Sequence, residues 1–131
     1  MADTVTSQTI QDGERVAILK FTNESDGTGE AAVKKVDVSA LTKDSRGRSC
    51  SSVSISRIYW ACRGMGVDIE FDASTNVLAI PLPADSTGDE YYDLFSGIPN
   101  NAGSGVTGDI DFTTVGHSNG DAYSIILVLN K

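Results

Sequence analysis

Cysteine, proline, histidine and tryptophan are nearly missing from this chain, which holds two, three, one and one of them in 131 residues. Cys50 and Cys62 are too few for a disulfide scaffold or a cysteine zinc centre. With no secretory signal they read as ordinary thiols in a reducing compartment. Basic residues are scarce as well. Ten lysines and arginines against eighteen acids leave a net charge of −8, which argues against a nucleic-acid backbone as partner and favours solubility or a basic partner surface. No apolar run approaches the length of a membrane span. Met1-Ala2-Asp3-Thr4 has neither the basic start nor the apolar stretch of a signal peptide. Sustained helical periodicity, solenoid repeats and a G-x-x-x-x-G-K-[ST] phosphate loop are also absent. What remains is one acidic domain over residues 1–131, with no membrane, nucleic acid, metal or cofactor in its expected chemistry.

What is present is β-structure. Thr4 to Gln11 is polar but rich in β-branched residues, which suits an edge strand. Asp12-Gly13 turns it into a second strand, Glu14 to Asn23. Ala31 to Leu41 is strand-like through Val33, Val36 and Val38, with room for a bulge at Lys34-Lys35. Val53 to Arg63 is strongly β. Val67 to Asp72 alternates apolar with acidic residues, and Ala73 to Asn76 turns it back into Val77 to Leu82 as a hairpin. Pro81 and Pro83 end that ladder, since neither donates a hydrogen bond to it. The chain closes with Asp109 to Val115, a turn at Gly116 to Gly120, and Asp121 to Lys131. In the last of these Ile125-Ile126-Leu127-Val128-Leu129 is apolar on both faces, as in a strand through the middle of a core. Two long loops are expected, near 42–52 and 83–108. Counting gives about eight strands at short spacing: an all-β, single-domain antiparallel sandwich or jelly-roll-like fold.

No set of residues reads as an active site. Gly116-His117-Ser118-Asn119-Gly120 matches G-x-S-x-G, but the nucleophile elbow needs a strand-to-helix turn in a large α/β sheet and a histidine after the serine. Here a strand follows, and no histidine does. Asp68, Glu70 and Asp72 project from one strand face and read as its solvated side rather than as a carboxylate pair across a cleft. Asp26-Gly27-Thr28-Gly29-Glu30 resembles a fragment of a calcium loop without its full set of oxygen ligands. Trp60 alternates with Ile58 and Cys62, which places it toward the core. Cys50 sits in a polar loop beside Arg46 and Arg48, where exposure and the arginines are expected to favour thiolate.

Several stretches carry a resemblance. Thr6-Ser7-Gln8-Thr9 with Asp12-Gly13, Lys20-Phe21-Thr22-Asn23, Ser25-Asp26-Gly27-Thr28-Gly29-Glu30 and Val36-Asp37-Val38-Ser39-Ala40-Leu41 resemble a group of small tailed-bacteriophage virion proteins. Asn100-Asn101-Ala102-Gly103, Thr107-Gly108-Asp109-Ile110, Gly116-His117 and Gly120-Asp121-Ala122-Tyr123-Ser124-Ile125 are similar to the same group. The likeness covers most of the chain and is weakest over Ser45 to Ser52 and Ala84 to Tyr92. It implies a non-enzymatic virion structural protein, made in the host cytoplasm, most simply a decoration or cement protein on the outer surface of the capsid. Its implied partners are the major capsid protein and other copies of itself, often as a trimer. Neck, tail or fibre components are the alternative station, and a β-sandwich adhesin or carbohydrate-binding module using Trp60, Tyr91 or Tyr92 is the alternative class. On the capsid reading, partner contacts are expected from Thr4, Thr6 and Gln8 on the first strand and from Tyr91, Tyr92, Leu94 and Phe95 in the long loop. Cys50 and Cys62 are then candidates for an inter-subunit disulfide.

Overall fold

The computed structural model describes residues 3–92 and 97–131. Nine strands follow one another: β1 (Thr4–Asp12), β2 (Val16–Glu24), β3 (Val33–Val36), β4 (Ser54–Arg63), β5 (Gly66–Phe71), β6 (Val77–Leu82), β7 (Thr87–Tyr91), β8 (Ile110–Val115) and β9 (Ala122–Asn130). They form two antiparallel sheets, ordered β1-β2-β9-β4-β7 and β3-β8-β5-β6. With β1 set aside, the pairs β2·β9, β3·β8, β4·β7 and β5·β6 nest one inside the next. That is one long two-stranded ribbon wrapped on itself, the topology of a jelly roll. β1 lies outside the ribbon, as a fifth strand beside β2.

The core lies between the sheets because β2, β5 and β9 alternate buried with less buried residues. β2 turns Ala17, Leu19 and Phe21 inward, and β9 turns in Tyr123, Ile125, Leu127 and Leu129. The opposite sheet answers with Val67, Ile69 and Phe71 from β5 and with Ile110 and Phe112 from β8. Phe112 is the hinge of the packing. It meets Phe21 edge-on at 5.4 Å and Tyr123 at 5.8 Å between ring centroids, geometry that aromatic quadrupoles favour.

Four elements depart from the sequence reading; one is β6, whose ladder runs through Pro81 to Leu82 and stops only before Pro83. β7 falls inside the stretch expected to be loop. Its Thr-Gly-Asp-Glu-Tyr has little strand propensity, and it forms by pairing with β4, where Gly88 leaves room for the Trp60 indole. β3 stops at Val36 instead of running to Leu41, because Asp37 caps a 3-10 turn over Val38–Ala40 by accepting from the Ser39 amide. The register shift between Lys34 and Val36 does supply the bulge. β9 is central, yet only one of its faces is core: Ile126 and Val128 are half-buried on the outer face, where their cross-strand neighbours are Lys20 and Ile18 on β2 and Tyr59 and Arg57 on β4.

Candidate interaction surface

Thr4–Asp12 forms a strand because threonine, valine and isoleucine fit the pleat and the chain turns back tightly after Asp12. Every residue from Thr4 to Gln11 is exposed, on both faces of the strand. Val5 is 47% and Ile10 51% exposed. Thr4, Thr6 and Gln8 face the outer side of the sheet, paired with Glu24, Thr22 and Lys20, and the hydroxyls of Thr6 and Thr22 hydrogen-bond. The register slips between Thr9 and Gln11, so Thr4 to Thr9 is regular strand and Ile10 is the bulge.

Both ends of this strand are clamped. Asp3 Oδ1 accepts the amides of Asp26 and Gly29, each at 3.2 Å, and Oδ2 accepts Asn23 Nδ2 at 3.1 Å. Burial works against its charge, but these bonds hold the carboxyl below its ordinary value. At the other end Lys131 Nζ donates to Asp12 Oδ1 and to the Gly13 carbonyl, each at 2.6 Å, and to the Thr42 carbonyl at 3.0 Å. Against the same pull of burial, the Lys131 contact lowers Asp12. Between Asp3 and Asp12 no residue carries a charge.

The other three sheet edges are blunted in ways that discourage strand pairing. β3 carries Lys34 and Lys35 and a bulge, β6 carries Pro81 and a register shift, and β7 is five residues long with Asp89 and Glu90 in the middle. β1 offers nine residues and no gatekeeper charge within them before its last, Asp12. Among the described residues it is the sheet edge with the longest uncharged run.

The remaining expected contacts lie elsewhere. Tyr91 is 53% exposed on β7, the opposite edge of the same sheet, about 19 Å from β1 at four inter-strand spacings. Its ring packs edge-on against Tyr59 at 6.0 Å, and the Arg57 guanidinium lies over it at 4.7 Å. The Tyr59 hydroxyl contact pushes the Tyr91 phenol up to about 12. Tyr92 and Trp60 pack against the core, with the indole Nε1 donating to Ser86 Oγ at 3.0 Å, so the three aromatics do not assemble into one exposed platform. Leu94 and Phe95 lie outside the described residues.

Cys62 lies about 26 Å by strand rise from Ser54 at the start of β4, and Cys50 lies beyond that start, beside Lys131; both thiols are free. Cys62 is 6% exposed in the core, closed to a second chain. Cys50 is half-buried with Sγ against the Ser52 carbonyl. Burial pushes its thiol up, the reverse of the direction expected from Arg46 and Arg48; Arg48 is instead paired with Asp44 at 2.7 Å.

The chemistry-like motifs resolve into structure. His117 Nδ1 meets Thr114 Oγ1 at 3.1 Å, and the Ser118 amide donates to Asp121 in the β8–β9 turn. Two amides of the 26–30 loop, those of Asp26 and Gly29, donate to the Asp3 carboxylate, the polarity of an anion cradle and opposite to a calcium loop. Among the described residues no group of three or more histidine, cysteine, aspartate or glutamate side chains is placed to hold a metal ion. Sequence pattern alone does not reveal the clamps at Asp3 and Asp12–Lys131. Their one signal there is an aspartate on each side of a long uncharged run. No protein-family model matches the chain, and no curated protein matches it.

Proposed function

We propose that this is a structural component of a tailed-bacteriophage particle, a decoration or cement protein that binds the outside of the assembled head and staples neighbouring subunits by strand addition along β1. The observation that carries the reading is the β1 edge: regular from Thr4 to Thr9, uncharged, open on its outer side and held straight by clamps at both ends. Strand addition draws its affinity from main-chain hydrogen bonds, and a pre-ordered edge forgoes the ordering cost that a floppy arm bears. The sequence resemblance to small virion proteins supports the same class, and jelly rolls recur in viral shells as well as in lectins. A protein that binds only the assembled lattice stabilises it by mass action, in proportion to the logarithm of its free concentration over Kd.

The test is quantitative mass spectrometry of purified virions, followed by co-sedimentation of the recombinant protein with heads. A copy number equal to the major capsid protein, or a simple symmetric fraction of it, is expected; a handful of copies moves the protein to neck or tail, and absence removes the virion reading. Ser7→Lys, a gatekeeper charge in the middle of the edge, is expected to weaken head binding at least tenfold while leaving Tm within about 2 °C, since Ser7 contributes nothing to the core. Undiminished binding of that variant excludes β1 as the contact.

A further inference from the structure

The outer face of the second sheet carries Asp68, Glu70 and Asp72 at β5 and Asp109 and Asp111 at β8, and one of these is where no lone carboxylate belongs. Asp111 is 3% exposed. Its Oδ2 accepts Asn76 Nδ2 at 2.9 Å, but its Oδ1 is buried without any donor. On the same face the Asp72 carboxyl lies diagonally across from it, one position beyond the directly opposed Glu70, and its own Oδ2 already accepts Thr107 Oγ1 at 2.6 Å. Two ionised carboxylates in this arrangement are unfavourable twice, by like-charge repulsion and by desolvation of an oxygen with no partner. A single proton between them removes both penalties. Asp111 then donates to Asp72, as coupled carboxyl pairs do.

We propose that Asp72 and Asp111 share one proton, and that this proton is a latch holding residues 103–108 against the β5–β6 turn. The parts it joins are on both sides of it. The Asp72 amide donates to the Asp109 carbonyl at 3.0 Å and the Thr107 amide to the Asp72 carbonyl at 3.3 Å. The Ser74 amide donates to the Ser104 carbonyl at 3.1 Å. Loss of the proton forces Asp72 away from Asp111, and Thr107 is tied to Asp72 through both side chain and main chain.

The surroundings do not replace the proton. On β5, Glu70 is held by Thr113 Oγ1 at 3.0 Å and Asn76 Nδ2 at 3.3 Å, and Asp68 lies further along the same face. On β8, Asp109 accepts the Val38 amide and pairs with Lys34 from β3, each at 2.9 Å. Lys34, with Asp37 nearby, acts on the pair only at a distance. β6 presents Leu78 opposite Glu70.

The direction with pH follows. Burial first, then the bond to Asp72, pushes Asp111 up to about 6, while the Thr107 hydroxyl, against burial, holds Asp72 below its ordinary value. Because the folded value of Asp111 lies above the unfolded one, the stabilisation is complete below about pH 4 and is lost as pH rises through about 6. The latch is closed in acid and opens toward neutrality.

Hydrogen exchange on the intact protein, corrected for intrinsic rates, tests this. Protection of the Thr107 amide is expected to fall at least tenfold between pH 5 and pH 7.5 while the β9 amides stay protected. In Asp111→Asn the side-chain amide supplies the donor at every pH, and protection is expected to stay level. Equal protection at both pH values in the unsubstituted protein, or the same fall in Asp111→Asn, overturns the proposal. A carbon-13 titration of the unsubstituted protein keeps the question decidable if the variant fails to fold: an Asp111 carboxyl that titrates near the ordinary aspartate value sinks the latch, and one near 6 supports it.

Discussion

Lys34 and Lys35 are adjacent in sequence and opposite in circumstance. Lys34 is half exposed and reaches Asp109 from solvent, whereas the Lys35 side chain is 8% exposed and meets Glu30 Oε2 at 2.5 Å. Glu30 is itself 6% exposed at the side chain, and its other oxygen accepts the Tyr123 hydroxyl at 2.6 Å. Burial, then the Glu30 carboxylate, pushes that phenol far up, so Tyr123 stays a donor over any working pH. Removing the cation strands a buried carboxylate. Lys35→Met is expected to cost about 3 kcal/mol and to lower Tm by roughly 10 °C in thermal denaturation followed by circular dichroism, and Lys34→Met much less. Equal losses for the two contradict the burial difference. The sequence places a bulge at this pair. It does not say which lysine goes in, because the answer depends on Glu30, brought round by a loop in which Ala32 sits at φ 50.

β1 is the element whose removal should matter least to the fold and most to the proposed function. It supplies no core residue and lies outside the nested ribbon. Deleting residues 1–11 is expected to leave a cooperatively folding domain with near-unchanged near-ultraviolet dichroism and to abolish co-sedimentation with heads. An unfolded product points to the Asp3 clamp on the 23–29 loop as essential, and retained binding rules out the edge. This strand was readable from sequence as a polar, β-branched stretch before a tight turn, and so was the alternation of β5, whereas β2, apolar on both faces in sequence, did not show which face goes inward. β7 was not readable, since its residues are poor strand formers and its place is fixed by β4 and the Trp60 indole over Gly88. Alternation put Asp68, Glu70 and Asp72 on one strand face; what it could not reveal is that Asp109 and Asp111 on the neighbouring strand are covered there, by contacts with Lys34, Val38 and Asn76 from other elements.

At the scale of the molecule, charge and edge chemistry are segregated. The second sheet's outer face gathers five carboxylates against Lys34, whereas β1 is neutral between its clamps. Net negative charge on the body opposes contact between like faces, whereas the uncharged run of β1 offers no such opposition. The nested pairing also sets an order of events. β5 meets β6 across a short turn, Phe71 opposite Val77, whereas β2 meets β9 with Val16 opposite Asn130. Chain closure over the outer pairs is entropically expensive until the inner ones exist. Apart from the local β1–β2 hairpin, the ribbon therefore zips outward from residues 71–77. Conservative substitutions in β5 and β6 are expected to slow refolding in stopped-flow experiments, while those in β2 and β9 chiefly speed unfolding; the reverse pattern rejects this order. The edge proposed to dock is thus carried by the last pair of the ribbon to close, and a misfolded intermediate would display β1 before there is a finished body behind it.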